Sequence, residues 1–311
     1  MQKNKENLLT HGVVVCLLAF VCCFLWGSAF PCVKIGYRIS DISSDDTVSQ
    51  ILYAGMRFTL AGIMVIVYSS IANKKFISPK GKNESLQVMK LSFFQTIMQY
   101  FFFYIGLANT SGVKSSIIIG SNVFVSIVVS SMIFRLEKIT LNKALGCIIG
   151  FAGILVINLS GGNLGTGLKL TGEGFIFIST FSYAFSSVLM KKYSKTTNPV
   201  MLSGWQFLFG GIVMTAFGLA SGGEVQINSP SSVAMIGYLA FISAAAYTLW
   251  ATLLKYNPVS KVSVYGFMNP VIGVILSSVL LKEDKQPSLV TAIIALALVC
   301  VGIYVVNREK K

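Results

Sequence analysis

Charge is scarce in this chain. Only 12% of its 311 residues are Asp, Glu, Lys or Arg, where a soluble domain carries about 25%, and the deficit excludes a soluble globular protein. Acidic residues number eleven, and none falls in the middle of an apolar stretch. A proton-coupled exporter of cationic drugs commonly needs a buried carboxylate that trades a proton for its cargo, so this absence weighs against that class. The single histidine, His11, sits at the edge of the first apolar stretch. With no nucleophile–base set and no paired carboxylates, an enzyme has little to work with. No phosphate-loop pattern occurs, so ATP does not drive the chain directly. All six cysteines (Cys16, Cys22, Cys23, Cys32, Cys147 and Cys300) lie within apolar stretches. None has metal-ligand spacing or sits in a loop where an oxidising compartment would pair it. No metal and no cofactor is expected.

What the chain has in abundance is apolar length. Hydrophobic residues make up 54% of the sequence, and they gather into stretches of about 20, enough to cross the ~30 Å hydrocarbon core as helices. A helix also satisfies its own backbone hydrogen bonds, which lipid cannot do. The pattern predicts ten spans, at 12–37, 50–72, 88–109, 113–134, 141–159, 172–193, 198–220, 232–254, 260–281 and Leu289 to Val306. The longest gap, 73–87, leaves no room for an extramembrane domain. The first stretch follows Lys3 and Lys5 as a signal peptide would. It is too long for one, however, and runs on through Trp26 and Phe30 without a cleavage site.

The net charge of +14 could suggest nucleic acid, but its distribution decides otherwise. With the amino terminus in the cytoplasm, 18 of the 25 Lys and Arg fall on the inner side, Lys74, Lys75, Lys80, Lys82 and Lys90 forming the densest group. Arg38, Lys114, Lys169, Lys282 and Lys285 fall outside, and Lys34 and Arg57 lie within spans. This is the positive-inside bias. It places both termini in the cytoplasm of a cell-membrane protein and turns the acidic gap Asp41 to Asp46 outward. No basic face exists to follow phosphates, so the expected partners are the lipid bilayer and a solute, with no nucleic acid.

The chain also repeats itself. A unit from Val113 to Asn158 and a unit from Val259 to Asn307 each hold two spans around a short landmark ending in Glu, Arg135-Leu136-Glu137 and Leu281-Lys282-Glu283. Residues 1–160 and 171–311 are read as two five-span halves, joined by a Gly-rich link at 161–170. An odd number of spans per half forces the second copy to enter the membrane from the opposite side. The expected fold is therefore an all-α integral membrane protein, ten transmembrane helices arranged as two inverted five-helix repeats. Substrate sites in that architecture lie near the midplane between the halves.

Trp26-Gly27-Ser28-Ala29-Phe30-Pro31, Arg57-Phe58, Glu137, Tyr247, Trp250, Asn257-Pro258, Asn269-Pro270 and Glu283 follow one another in an order and spacing with a family likeness. Over essentially its whole length the chain resembles the drug/metabolite transporter superfamily, and within it the EamA group of ten-helix transporters built from two five-helix repeats. It departs from that pattern at Phe124, where the first repeat often has a proline matching Pro270, so the fourth span is expected to be straighter than its mate. The resemblance implies transport of small organic solutes, often export of amino acids or related metabolites.

Charges within spans are functional candidates by default, which selects Lys34 and Arg57. Lys34 can instead snorkel to the interface. Arg57 can instead pair with helix-end carbonyls or with Asp41, Asp45 or Asp46. As functional groups, both would bias a cavity toward a carboxylate or another anion. Polar and aromatic residues inside spans complete the candidate binding set: Trp26, Gln95, Gln99, Tyr100, Asn122, Tyr183, Gln206, Tyr247, Trp250, Tyr265 and Asn269. Gln95 and Gln99, four apart, are expected to share a face. Interhelical hydrogen bonding is the bland alternative for each. Pro31 and Pro270 are candidate hinges. Tyr37 and Tyr304 read as members of the interfacial belt, and Glu137 and Glu283 as structural ion pairs at helix ends.

The Gly146-to-Gly150 pair, continued by Gly153, and the Ser116–Gly120 pair are close-approach faces. Packing within the fold is their first reading and a homodimer the second. The functional reading is an exporter of small organic metabolites such as amino acids, working by alternating access. The rivals are a multidrug or cation exporter and a non-transporting membrane scaffold.

Overall fold

The computed structural model describes residues 8–110, 112–159, 169–281 and 288–308. Among the described residues there is no strand, and ten helices are long and apolar enough to cross a bilayer. They are α1 (Gly12–Ile39), α2 (Thr47–Ala72), α3 (Gly81–Ala108), α4 (Lys114–Ile133), α5 (Leu141–Leu159), α6 (Leu170–Tyr193), α7 (Pro199–Ala220), α8 (Pro230–Tyr256), α9 (Val259–Leu281) and α10 (Leu289–Asn307). Glu283, Lys282, Lys285 and nearly all of the Gly-rich link lie outside the described residues.

Capping chemistry moves several helix starts ahead of the apolar runs. The Asp46 carboxylate accepts the Ser49 N–H at 2.9 Å and opens α2 at Thr47. A reciprocal Ser229–Ser232 capping box precedes Pro230 at the first position of α8. The largest shift is in α3. There Glu84 accepts the Lys80 N–H at 2.6 Å and adds a polar first turn to the apolar run.

Four helices depart from regular α geometry, α6 among them through a π turn at Leu170–Gly174. In α3 a π-helical stretch covers Ser92–Met98. In α9 a 3₁₀ turn covers Val264–Phe267, just ahead of Pro270, whose missing N–H cannot continue the ladder. The fourth span, expected to be straighter than its mate, is itself irregular: α4 breaks at Ser121 and ends in a π stretch at Val129–Ile133. The cause is Ser121 itself. Its Oγ donates to the Ile118 carbonyl at 2.6 Å, and its N–H is shared between Ile117 and Ile118.

Glycine faces set the closest helix contacts. A Cβ added at Gly62 of α2 would lie 2.4 Å from the Leu208 nitrogen, and one at Gly211 of α7 would lie 2.3 Å from the Thr59 nitrogen. Gly146 of α5 and Gly302 of α10 meet in the same backbone-to-backbone fashion, while Gly150 receives the Phe267 ring and Gly120 receives Ile154. The expected close-approach faces are therefore covered by the chain's own helices. Elsewhere α1 rests on α8 and α9, α6 on α3 and α4, α2 on α8, and α7 on α3. Leu17, Phe24, Tyr68, Ile71, Ile293 and Val301 remain exposed on the outside, as helices facing hydrocarbon require. At the end where α1 begins, Val15, Ala19, Met190, Leu202, Leu254 and Val259 belong to one continuous buried core.

Candidate solute-binding cavity

Seven helices enclose a cavity of about 280 Å³. From α1 come Trp26, Phe30, Val33, Lys34 and Tyr37, and from α3 come Gln99, Tyr100, Phe103, Tyr104 and Leu107, each set lying on one helical face. Arg57 of α2, Asn122 and Val123 of α4, Ser179, Thr180 and Tyr183 of α6, Tyr247 of α8, and Asn269 and Pro270 of α9 complete the wall. The cavity runs from the middle of the bundle toward the end at which α1 finishes, where Lys34 is exposed. Both sequence halves contribute to it.

The wall is strongly aromatic. The Trp26 ring meets Tyr247 and Trp250 edge-on, with centroids 5.0 Å apart in each case. The Tyr100 and Tyr247 hydroxyls lie 2.7 Å apart and join α3 to α8. Arg57 is 5% exposed, with its guanidinium carbon 4.3 Å above the Phe58 ring centroid and 5.7 Å from that of Tyr100. Cation–π contact of this kind offsets part of the desolvation of a buried cation. The expected partners do not reach it: Asp46 caps α2, Asp45 accepts from Ser44, and Arg57 forms no ion pair or hydrogen bond among the described residues. Trp26 Nε1, Gln99 Oε1 and Asn269 Oδ1 are likewise buried without a hydrogen-bond partner. Unpartnered polar atoms are expensive in an apolar interior, and here the four residues that carry them all line one cavity.

Of the residues expected to bind solute, Trp26, Lys34, Arg57, Gln99, Tyr100, Asn122, Tyr183, Tyr247 and Asn269 line this cavity, together with the expected hinge Pro270. Four do not. Gln95 is buried within the π stretch, one turn short of the α3 residues that line the cavity. Gln206 is spent between helices, accepting from Thr96 at 2.9 Å through its side chain and from Ser92 at 3.0 Å through its carbonyl. Trp250 backs Trp26 from the core side, and Tyr265 sits in the 3₁₀ turn, where its carbonyl accepts from Cys23. Pro31 is buried within a continuous α1. Tyr37, expected in the interfacial belt, turns into the cavity, whereas Tyr304 is exposed. Tyr37, Tyr104, Phe103 and Leu107 were legible as extensions of the Trp26 and Gln99 faces at helical spacing.

The opposite end of the bundle is sealed by polar contacts as well as by the core. Glu137, just past α4, accepts the Lys143 ammonium at 2.6 Å, the Ser130 hydroxyl at 2.8 Å and the Ser260 N–H at 3.0 Å, with the Ser260 hydroxyl as a further donor. Burial pushes this carboxyl's pKa up, but the hydrogen bonds from Lys143, Ser260 and Ser130 outweigh it and hold the group below its ordinary value. Lys191 donates to the Lys255 carbonyl at 3.0 Å and Asn257 to that of Leu9 at 2.9 Å. At the cavity's own end, Glu173 pairs with Lys114 at 2.8 Å and accepts from Thr110 at 2.7 Å.

Known proteins share this plan. The family model described as the EamA-like transporter family matches residues 13–159 and again residues 170–308. An uncharacterized transporter of Archaeoglobus fulgidus is 27% identical, over 92% of this chain and 95% of its own length. The uncharacterized transporter YvbV of Bacillus subtilis is 24% identical, over 95% and 92%. The chloroplastic WAT1-related protein At3g02690 of Arabidopsis thaliana is 25% identical, over 91% and 67%. A solved crystal structure superposes with a TM-score of 0.74 at 17% identity, covering 94% of this chain and 96% of that one.

Proposed function

The chain belongs to the EamA-like transporter family, and from that premise we propose that it is a secondary carrier exporting small organic metabolites, amino acids and related acids among them. The observation that carries the proposal is the cavity, to which helices of both halves bring buried, unpartnered polar groups within an aromatic wall. It extends toward one end of the bundle, while core and polar contacts close the other. This is the arrangement of one limiting state of an alternating-access cycle. Positive-inside charge assigns the closed end to the cytoplasm, with both termini, so the form described faces outward.

The helix contacts support two inverted halves. Exchanging each helix for the one five places along maps α1–α8 onto α6–α3, α1–α9 onto α6–α4, and α2–α8 onto α7–α3, and it leaves α2–α7 and α5–α10 in place. The family model's double match divides the chain at the same point, between residues 159 and 170. In this scheme the sliding surfaces are the glycine-lined α2–α7 and α5–α10 contacts, and the irregular turns of α4 and α9 are the flexing points.

The test is counterflow into liposomes carrying the purified protein, with a panel of labelled amino acids, organic acids and lipophilic cations. Saturable, stereoselective accumulation of one or more acids is expected. Flux no faster than in protein-free liposomes for every member would leave a non-transporting membrane protein.

A further inference from the structure

Every fixed charge identified in the cavity wall is positive. Arg57 is buried and Lys34 lies at the exposed end, and no Asp or Glu lines the cavity among the described residues. Among the described residues, the guanidinium has its Nε buried without a hydrogen-bond partner and no carboxylate within ion-pair reach, and Arg57 lines the cavity. A buried cation with donors to spare demands an anion, and the planar guanidinium matches a carboxylate bidentately. Trp26, whose indole N–H is another unpartnered donor, lines the same cavity. Tyr100, Phe103 and Tyr104 supply an apolar face on α3 for the rest of the molecule.

We propose that the cavity selects organic anions, a carboxylate joined to an aromatic or branched apolar body, and discriminates against ligands that carry a free ammonium group. This rests on the carrier reading and narrows it from amino acids to acids without a positive charge. An ammonium would enter a low-dielectric space beside an unneutralised guanidinium with no carboxylate to receive it. Gln99 Oε1 and Asn269 Oδ1 would offer it only neutral dipoles.

The experiment uses three probes with one aromatic body: phenylpyruvate, phenylalanine and phenethylamine. Their affinities for the purified full-length protein in nanodiscs are measured by calorimetry. Phenylpyruvate is expected to bind at least about tenfold more tightly than phenylalanine, the smallest gap that a lost charge pairing should open, and phenethylamine not at all. Arg57→Gln should abolish the preference, and Arg57→Lys should retain part of it. Equal or tighter binding of phenylalanine or phenethylamine overturns the proposal, as does an unchanged preference in Arg57→Gln or no binding of any probe. If Arg57→Gln fails to fold, the wild-type series alone decides. An inverted series with counterflow intact removes the anion preference and keeps the carrier. A preserved series with no flux removes the carrier and keeps the anion site.

Discussion

Glu137 and Ser260, 123 residues apart in sequence, are joined by a 3.0 Å hydrogen bond from the Ser260 N–H to the Glu137 carboxylate. The carboxylate sits at the N-terminus of α9, where free backbone donors and the helix dipole both favour an anion, and so it ties the end of α4 to the start of α9. Lys143 neutralises it at 2.6 Å. Glu137→Ala would strand a mostly buried ammonium and the α9 N–H together. A loss of about 2–4 kcal/mol is expected, seen as a lower unfolding midpoint in detergent. A change within about 0.5 kcal/mol, as for an ordinary surface position, would contradict the clasp.

The same group predicts an acid-side loss of stability. Its folded pKa lies below its ordinary value near 4.5, so the folded protein binds the proton less readily than the unfolded chain. The stabilisation is therefore complete above about pH 4.5 and falls away as pH drops through the folded pKa. Melting curves from pH 7 downward should show wild type converging on Glu137→Gln at the acid end. A constant gap between them would count against the ionised clasp.

Gly62 predicts a backbone clash. A methyl group there meets the Leu208 backbone 2.4 Å away, which no side-chain rotation relieves, whereas one at Gly237 meets nothing within 4 Å. Gly62→Ala should therefore destabilise by about 1–3 kcal/mol. Gly237→Ala should be neutral or slightly stabilising through helix propensity. Thermal melts of the two variants side by side give the comparison, and equal behaviour would refute the close α2–α7 contact.

Tyr100 and Tyr247 share one hydroxyl–hydroxyl bond of 2.7 Å. Removing either hydroxyl breaks the same bond, so the Tyr100→Phe and Tyr247→Phe effects should be sub-additive. A double-mutant cycle on thermal stability should give a coupling of about 0.5–1.5 kcal/mol, within the range for polar pairs between membrane helices. Strict additivity would mean the bond carries no energy.

Much of this could be read from the residues. Apolar length placed all ten helices, while capping residues such as Ser229 set starts that apolar length alone put a few residues late. The cavity was legible where a polar residue interrupts an apolar face, as at Arg57, Gln99, Asn122 and Asn269. It was not legible where helix geometry departs from 3.6 residues per turn. The π stretch at Ser92–Met98 of α3, and the break at Ser121 in a helix expected to be straighter than its mate, were not foreseen. Nor does a polar side chain reveal whether it faces a cavity or a neighbour, which is why Gln206 went to Thr96. Tyr37 reads as part of the interfacial belt because a tyrosine near a span end serves the interface equally well, although helical spacing also puts it on the Trp26 face.

The central claim is that the solute occupies this cavity, and ligand protection tests it most directly. Ala29, which lines the cavity, is replaced by cysteine in protein whose native cysteines are alanine, and modification by a water-soluble thiol reagent is timed with and without a saturating carried solute. The account predicts labelling that slows severalfold as the solute fills the site, with the half-effect near its transport KM. A labelling rate indifferent to a solute that the same protein demonstrably carries would place the pathway elsewhere.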